Sequence, residues 1–392
     1  MAHVDIPALG LLLLVACLVA IVTRRIGLPY SVGLVVAGIA LSLVGYRSQI
    51  VLTPELIFTV LLPPLVFEAA LHLGWSQFRR EAPLVLSIAF VGTFLSALVV
   101  AAGMHWLCGW GWQGSLLFGA LIAATDPVAV IAMMKEQKAE QRLAFLMESE
   151  SLVNDGAAAV LFAVVAAWIA GADSSAGSIA ISLVSTVAGG VLCGLVVASA
   201  IMLLAKGSND HLVEITLTVL AAYGSFLIAE ELKVSGVLAT LSAGMLVGNR
   251  GRGRALTDEG SAAMIRFWDF AAFLANSVIF LLIGSREAAQ PIIAYLLPAV
   301  VGTILVLGGR AVAIYPIVGL FRRSSLAVNG ITQHILFWGG LRGALALALA
   351  LAAPAALPEH DALISVAFAV VAFSIFVQGL TVPRLLRRSD AS

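Results

Sequence analysis

Charge is scarce in this 392-residue sequence: Asp, Glu, Lys and Arg make up 11% of it, where a soluble domain carries roughly 25%. That shortage excludes a soluble domain of useful size. Cysteine is nearly absent as well. Cys17, Cys108 and Cys193 each lie in an apolar run and form no C-x-x-C pair, so neither a disulfide framework nor a thiolate metal site is indicated. Basic residues are not in excess: the formal net charge is zero and they come singly and in pairs, which excludes the massed basic patch of a nucleic-acid partner. The sequence contains no H-E-x-x-H, G-x-S-x-G or G-x-G-D, so an intramembrane hydrolase lacks its metal-binding or serine parts. No arginine or lysine precedes the first apolar run, and Arg24 and Arg25 follow it. A signal peptide has the opposite order, so this is read as a first transmembrane helix with its N-terminus outside.

Apolar residues make up 61% of the chain and the mean hydropathy is +1.06. At about 20 residues per span, a dozen or so helices absorb most of this length. Apolar spans fall at 8–23, 28–46, 54–73, 83–107, 114–134, 142–169, 177–205, 211–229, 234–249, 262–284, 290–320, 327–353 and 361–382. The fold expected is therefore an all-α polytopic membrane protein of about thirteen transmembrane helices, a single transport domain over 1–392.

The positive-inside rule tests this register, because alternate loops should be rich and poor in Lys and Arg. One set holds Arg24, Arg25, Arg79, Arg80, Lys135, Lys138, Arg142, Lys206, Arg250, Arg252, Arg254, Arg266, Arg322, Arg323, Arg384, Arg387 and Arg388, seventeen in all. The other holds Arg47, Lys233 and Arg286, and the remaining two, Arg310 and Arg342, fall within spans. A miscounted span would blur that split. It puts the C-terminus in the cytoplasm, and the location expected is the cell (inner) membrane.

Ionisable groups inside spans cost about 2.5–3.5 kcal/mol each on the insertion scale, so each must be paired, wet or functional. In span 5, Thr125-Asp126-Pro127 sets a carboxylate before a proline, which disfavours helix and removes a backbone donor. A mid-membrane break is expected, its loose carbonyls available to a cation. In span 6, Glu150 and Asn154 are four apart, as are Ser151 and Asp155, so two oxygen-rich stripes face the break. Asp155 lies roughly 20 Å along its helix, near mid-bilayer. Hard monovalent cations take such oxygen ligands. Arg310 in span 11 needs a partner, and Glu150 suits a bidentate pair. In span 12, Gly339-Gly340-Leu341-Arg342-Gly343 admits a second break, with Gly340 loosening the helix and Arg342 bonding the freed carbonyls. Spans 5 and 12 are seven apart, an odd offset that reverses direction. Residues 1–169 and 211–392 are thus expected to be inverted repeats joined by a linker helix within 170–210, their broken helices crossing near the midplane.

Elsewhere, Glu68 and His72 are read as a packed polar pair on span 3, with a funnel-lining role as the alternative. Glu148 is read as a solvated or interhelical carboxylate off the Asp155 face.

Leu62-Pro63-Pro64 with Glu68, Thr125-Asp126-Pro127, Glu150-Ser151-x-x-Asn154-Asp155, Arg310 and Gly339-Gly340-Leu341-Arg342-Gly343 occur in order on successive spans. In this the chain resembles the first subgroup of the monovalent cation:proton antiporters, bacterial sodium/proton antiporters and animal sodium/hydrogen exchangers among them. The resemblance implies a homodimer whose protomers each carry a six-helix core that moves to alternate access. It implies that Asp155 binds Na+ or H+, that Thr125, Asp126 and Ser151 complete the Na+ site, and that Glu150 pairs with Arg310. Members that move net charge carry a second aspartate before the carrier, and Asn154 stands there, which implies electroneutral exchange. The family's long cytoplasmic regulatory tail is not expected. No cofactor is expected beyond the transported ions, and the only surroundings implied are the lipid bilayer and a second copy. The function expected is exchange of Na+ or Li+ against H+, with K+/H+ antiport and a cation channel as alternatives.

Overall fold

A computed structural model of the chain describes residues 6–26, 28–44, 52–137, 140–172, 175–206, 208, 210–251, 256–287 and 292–389. Arg47, Lys138, Arg252 and Arg254 of the charge count lie outside the described residues. Among the described residues every regular element is helical. In chain order they are α1 (Ile6–Ile26), α2 (Tyr30–Leu43), α3 (Leu56–His72), α4 (Trp75–Cys108), α5 (Trp112–Ile122), α6 (Val128–Gln137) and α7 (Gln141–Ile169). There follow α8 (Ala176–Ala205), α9 (His211–Glu231), α10 (Gly236–Leu246), α11 (Asp258–Glu287), α12 (Leu296–Leu320), α13 (Gly330–Trp338), α14 (Ala344–Leu351) and α15 (His360–Leu386). Helices α4, α7, α8, α9, α11, α12 and α15 are each long and apolar enough to cross a membrane. Each predicted apolar span carries one α-helix, preceded in the eleventh by a 3-10 turn at Ile292–Tyr295, except the fifth and twelfth, which carry the half-helix pairs α5/α6 and α13/α14.

Local chemistry sets the boundaries. Ser175, Asp210, Ser235 and Asn329 cap the N-termini of α8, α9, α10 and α13 through side-chain oxygens that accept backbone N–H groups of the first turn. Gly109 ends α4 in the left-handed region at φ +70°, a conformation that costs glycine nothing. Wide π-type turns interrupt α3 just before Pro63-Pro64 and α4 just after Pro83. A proline removes a backbone donor; at the turn after it in α4, the backbone N–H and the hydroxyl of Ser87 both donate to the carbonyl of Pro83, the hydroxyl at 2.6 Å.

Two sets of helices pack within themselves. Helices α1, α2, α3 and α8 to α11 form one; α4 to α7 and α12 to α15 form the other. Lipid supplies no hydrophobic drive between helices, so close packing of small residues must hold them. Gly38 of α2 faces the backbone of Leu281 and Ser285 on α11, and Gly284 of α11 faces the backbone of Val35. In the other set Gly309 of α12 lies against Ser96 of α4. The face between the two sets holds the site described next.

Because backbone fills the space beside Gly38 and Gly284, Gly38→Ala and Gly284→Ala are each expected to destabilise the chain by about 1–3 kcal/mol. Gly10→Ala, where a methyl group meets no atom within 4 Å, should leave thermal unfolding in detergent unchanged. Equal melting temperatures in all three variants would contradict the close crossing.

Candidate ion site at the crossing of two broken helices

The two half-helix pairs meet at their interruptions. Residues 123–127, which include Asp126-Pro127, are non-helical between α5 and α6, as are residues 339–343 between α13 and α14. The backbone N–H of Asp126 donates to the carbonyl of Leu341 at 2.8 Å, tying one break to the other. Arg342 is buried and sends Nη1 to the carbonyls of Ala123 at 3.1 Å and Ala124 at 3.2 Å. Its partners are thus the loose ends of α5, not those of its own break. The end of α13 is served by other residues. Arg310 Nη2 donates to Leu336 O at 2.9 Å, and Gln378 Nε2 of α15 donates to Trp338 O at 3.0 Å. Ser151 Oγ donates to Thr125 O at 2.5 Å.

These bonds bear on the expectation that loose carbonyls at the breaks are available to a cation, since five of them already accept a donor. The carbonyls of Ala123, Ala124, Thr125, Leu336 and Trp338 all accept side-chain donors, as the absence of water in the bilayer core requires. Asn154 Oδ1, Arg310 Nε and Arg342 Nε at the crossing have no protein partner, and among the described residues that line the adjoining cavity the same holds for the hydroxyl of Thr125 and Asp155 Oδ1, both shielded from solvent. That cavity, of about 530 Å3, is lined also by Ser151 and Asp126. Asp126 Oδ1 accepts the N–H of Val128 at 3.1 Å, and the backbone of Ala344 also bonds this carboxylate. The helix starts of α6 and α14 thereby both turn donors toward it. A Cβ at Gly343 would overlap Asp126, which requires glycine there.

The second stripe of α7 turns away from the cavity. Glu150 and Arg310, 3% and 4% exposed, form a bidentate pair at 2.8 and 3.1 Å. Asn154 donates Nδ2 to Glu150 Oε1 at 3.1 Å. Asn154 therefore does not line the cavity with Asp155; at i and i+4 it shares a helical face with Glu150, and Arg310 draws that face toward α12. Gly340 packs on the same pair, since a Cβ there would stand 2.7–2.8 Å from the guanidinium of Arg310.

One further expectation changes, that of Glu148, and the Glu68–His72 pair is found as expected, on the cavity wall that its alternative reading gave it. Glu148 lines the cavity; it precedes Asp155 by two helical turns and shares its face. Glu68 and His72 line the same cavity, joined by Asp269 of α11. Sequence reasoning also passed over Gln378, although a lone amide in an apolar span is legible by the rule that exposed Arg310. It treated Arg142 as a loop charge, where the structure gives it a bidentate pair with buried Glu81 at 3.0 Å and bonds to the carbonyls of Leu326 and Ala327.

The family model for the transmembrane sodium/hydrogen exchanger matches residues 12–388. The chain belongs to that family. It is 36% identical over 369 residues to the low-affinity Na(+)/H(+) antiporter NhaS1 of Synechocystis, covering 93% of this chain and 70% of the relative. It is 32% identical to the Na(+)/H(+) antiporter NhaP of Pseudomonas aeruginosa, covering 96% of each. Its fold resembles that of the sodium proton antiporter MjNhaP1 from Methanocaldococcus jannaschii, with a TM-score of 0.77 over 98% of both chains at 19% identity. As a member of the exchanger family the chain is a multi-pass membrane protein.

The Glu150–Arg310 pair yields a direct test. Breaking a buried pair by removing one partner typically costs about 3–5 kcal/mol, whereas replacing both with neutral residues costs less. Arg310→Ala should therefore lower thermal stability more than the double change Glu150→Gln with Arg310→Met. Additive losses would show that the two charges are not coupled.

Proposed function

We propose that the chain is a secondary active antiporter that exchanges Na+ for H+ at Asp155 by alternating access. The observation that carries this reading is the buried, unpartnered pair of Asp155 Oδ1 and Thr125 Oγ1 beside the cavity. One carboxylate oxygen and a hydroxyl with no protein partner, supported by Ser151 and Asp126, offer the oxygen donors that a hard monovalent cation takes. Oxygen ligands alone do not separate Na+ from K+; the choice of Na+ rests on family membership and on relatives named as Na(+)/H(+) antiporters.

The coupling follows from competition. Asp155 carries Na+ when ionised and H+ when protonated, never both, so each crossing in one direction requires the other ion in return. Thr125 and Ser151 add neutral oxygen ligands. Asp126 stays bound to backbone donors and orients the site. Glu150 and Arg310, with Asn154, hold α7 against α12, and Arg342 holds the two breaks in register.

Direction and assembly complete the proposal. Glu68, His72, Asp269 and Glu148 lie toward the helix ends that adjoin the arginine-rich loops. With those loops in the cytoplasm and the N-terminus outside, the cavity is open inward. Residues 1–169 and 211–392 act as inverted repeats, so the same crossing can open to either side. In line with the resemblance, the protein works as a homodimer in the cell membrane.

Asp155→Asn should abolish both Na+ uptake and Na+-driven H+ release in proteoliposomes while the protein remains folded. Retention of either flux would remove Asp155 from the mechanism. With one carrier, the loaded site has the same charge whichever ion it holds, so exchange should run equally fast at zero potential and at about −100 mV, where each net charge moved adds about 2.3 kcal/mol. Acceleration by potential would mean that a second carboxylate cycles.

A further inference from the structure

The cavity carries a second constellation, nearer its mouth. Glu68 and His72 stand on one face of α3, and Asp269 reaches them from α11. His72 Nε2 is 3.3 Å from Glu68 Oε1 and 3.3 Å from Asp269 Oδ1, and the three potential ligand atoms lie within 4.8 Å of one another.

That spacing has a chemical meaning. Nitrogen and oxygen ligands sit about 2.0–2.2 Å from Zn2+, and on a tetrahedron of that radius they are about 3.3–3.6 Å apart. The His72 nitrogen keeps such a separation from each carboxylate. One imidazole and two carboxylates are donors suited to a divalent first-row ion, whereas the alkali cations take oxygen alone. The frame behind the cluster is rigid. Phe67 and Trp268, the chain neighbours of Glu68 and Asp269, are buried with ring centroids 4.6 Å apart, which fixes α3 against α11. The side chains themselves are reachable: those of His72, Asp269 and Glu68 are 37%, 52% and 25% exposed. An ion can therefore enter, and its fourth position faces water.

We propose that Glu68, His72 and Asp269 bind one divalent first-row transition-metal ion at the mouth of the ion cavity. Such an ion cancels the charge of two carboxylates at the entrance and stands in the path to Asp155, so its occupancy should slow exchange. This blocking role rests on the exchange reading; the binding does not.

Binding is tested with purified, tag-free, chelator-treated full chain titrated with Co2+, whose visible absorption is intense when tetrahedral. One equivalent per chain, displaced by Zn2+, is expected. His72→Gln and Asp269→Asn should each weaken it at least about tenfold, since even outer partners of metal ligands typically cost 10–100-fold when lost. No saturable equivalent, or an affinity unchanged in either variant, would overturn the site. In proteoliposomes Zn2+ should inhibit the parent and spare His72→Gln. Metal binding without inhibition would contradict the blocking role, and metal binding in a protein that exchanges no ions would fail the exchange reading alone.

Discussion

Breaking a helix inside a bilayer frees backbone carbonyls where no water can reach them, and the rest of this structure is arranged around that constraint. Two helices are broken at one level, and each break is closed by side chains from elsewhere: Arg342 on Ala123 and Ala124, Ser151 on Thr125, Arg310 on Leu336, Gln378 on Trp338. Two of these donors are cations in an apolar interior. Each sits near the carboxylates of the crossing, and Arg310 pairs outright with Glu150. Satisfying the backbone thus dictates where charge must be placed.

On the wall of the cavity, one acidic oxygen and one hydroxyl have no protein partner, Asp155 Oδ1 and Thr125 Oγ1, and these are the groups to which the proposed exchange assigns the passing ion. The division of labour follows from helical geometry. On α7, residues 150 and 154 face the fixed ion pair, while residues 148, 151 and 155 face the cavity. A single helix therefore holds the paired charge on one side and, on the other, the carboxylate to which the proposed exchange assigns the ion. The cavity lies where the two helix sets meet, so sliding one set past the other can open it to the opposite side without unmaking the crossing.

Much of this was legible in the residues. Apolar runs located the spans and charge alternation tested their register, Asp126-Pro127 and the glycines around Arg342 located both breaks, and the cost of an unpaired arginine led from Arg310 to Glu150. What escaped has physical reasons. Which carbonyls Arg342 meets depends on how two distant breaks cross, and no spacing within span 12 encodes that. Asn154 shares its helix face with Glu150, a relation that was visible, but the direction in which that face turns is set by α12. Asp269 joins Glu68 and His72 only through packing of α11 on α3, some 200 positions apart in sequence. Gln378 was a plain miss, for it obeys the rule applied to the arginines.

In the proposed exchange one carboxylate serves two cations in turn. Isothermal titration of the purified protein with Na+, repeated in buffers of different ionisation enthalpy, measures the protons released per ion bound. At a pH low enough for the carrier to be protonated beforehand, the account predicts one proton released for each Na+ bound, and no Na+ binding in Asp155→Asn. Na+ binding without proton release, or unchanged binding in the variant, would contradict it.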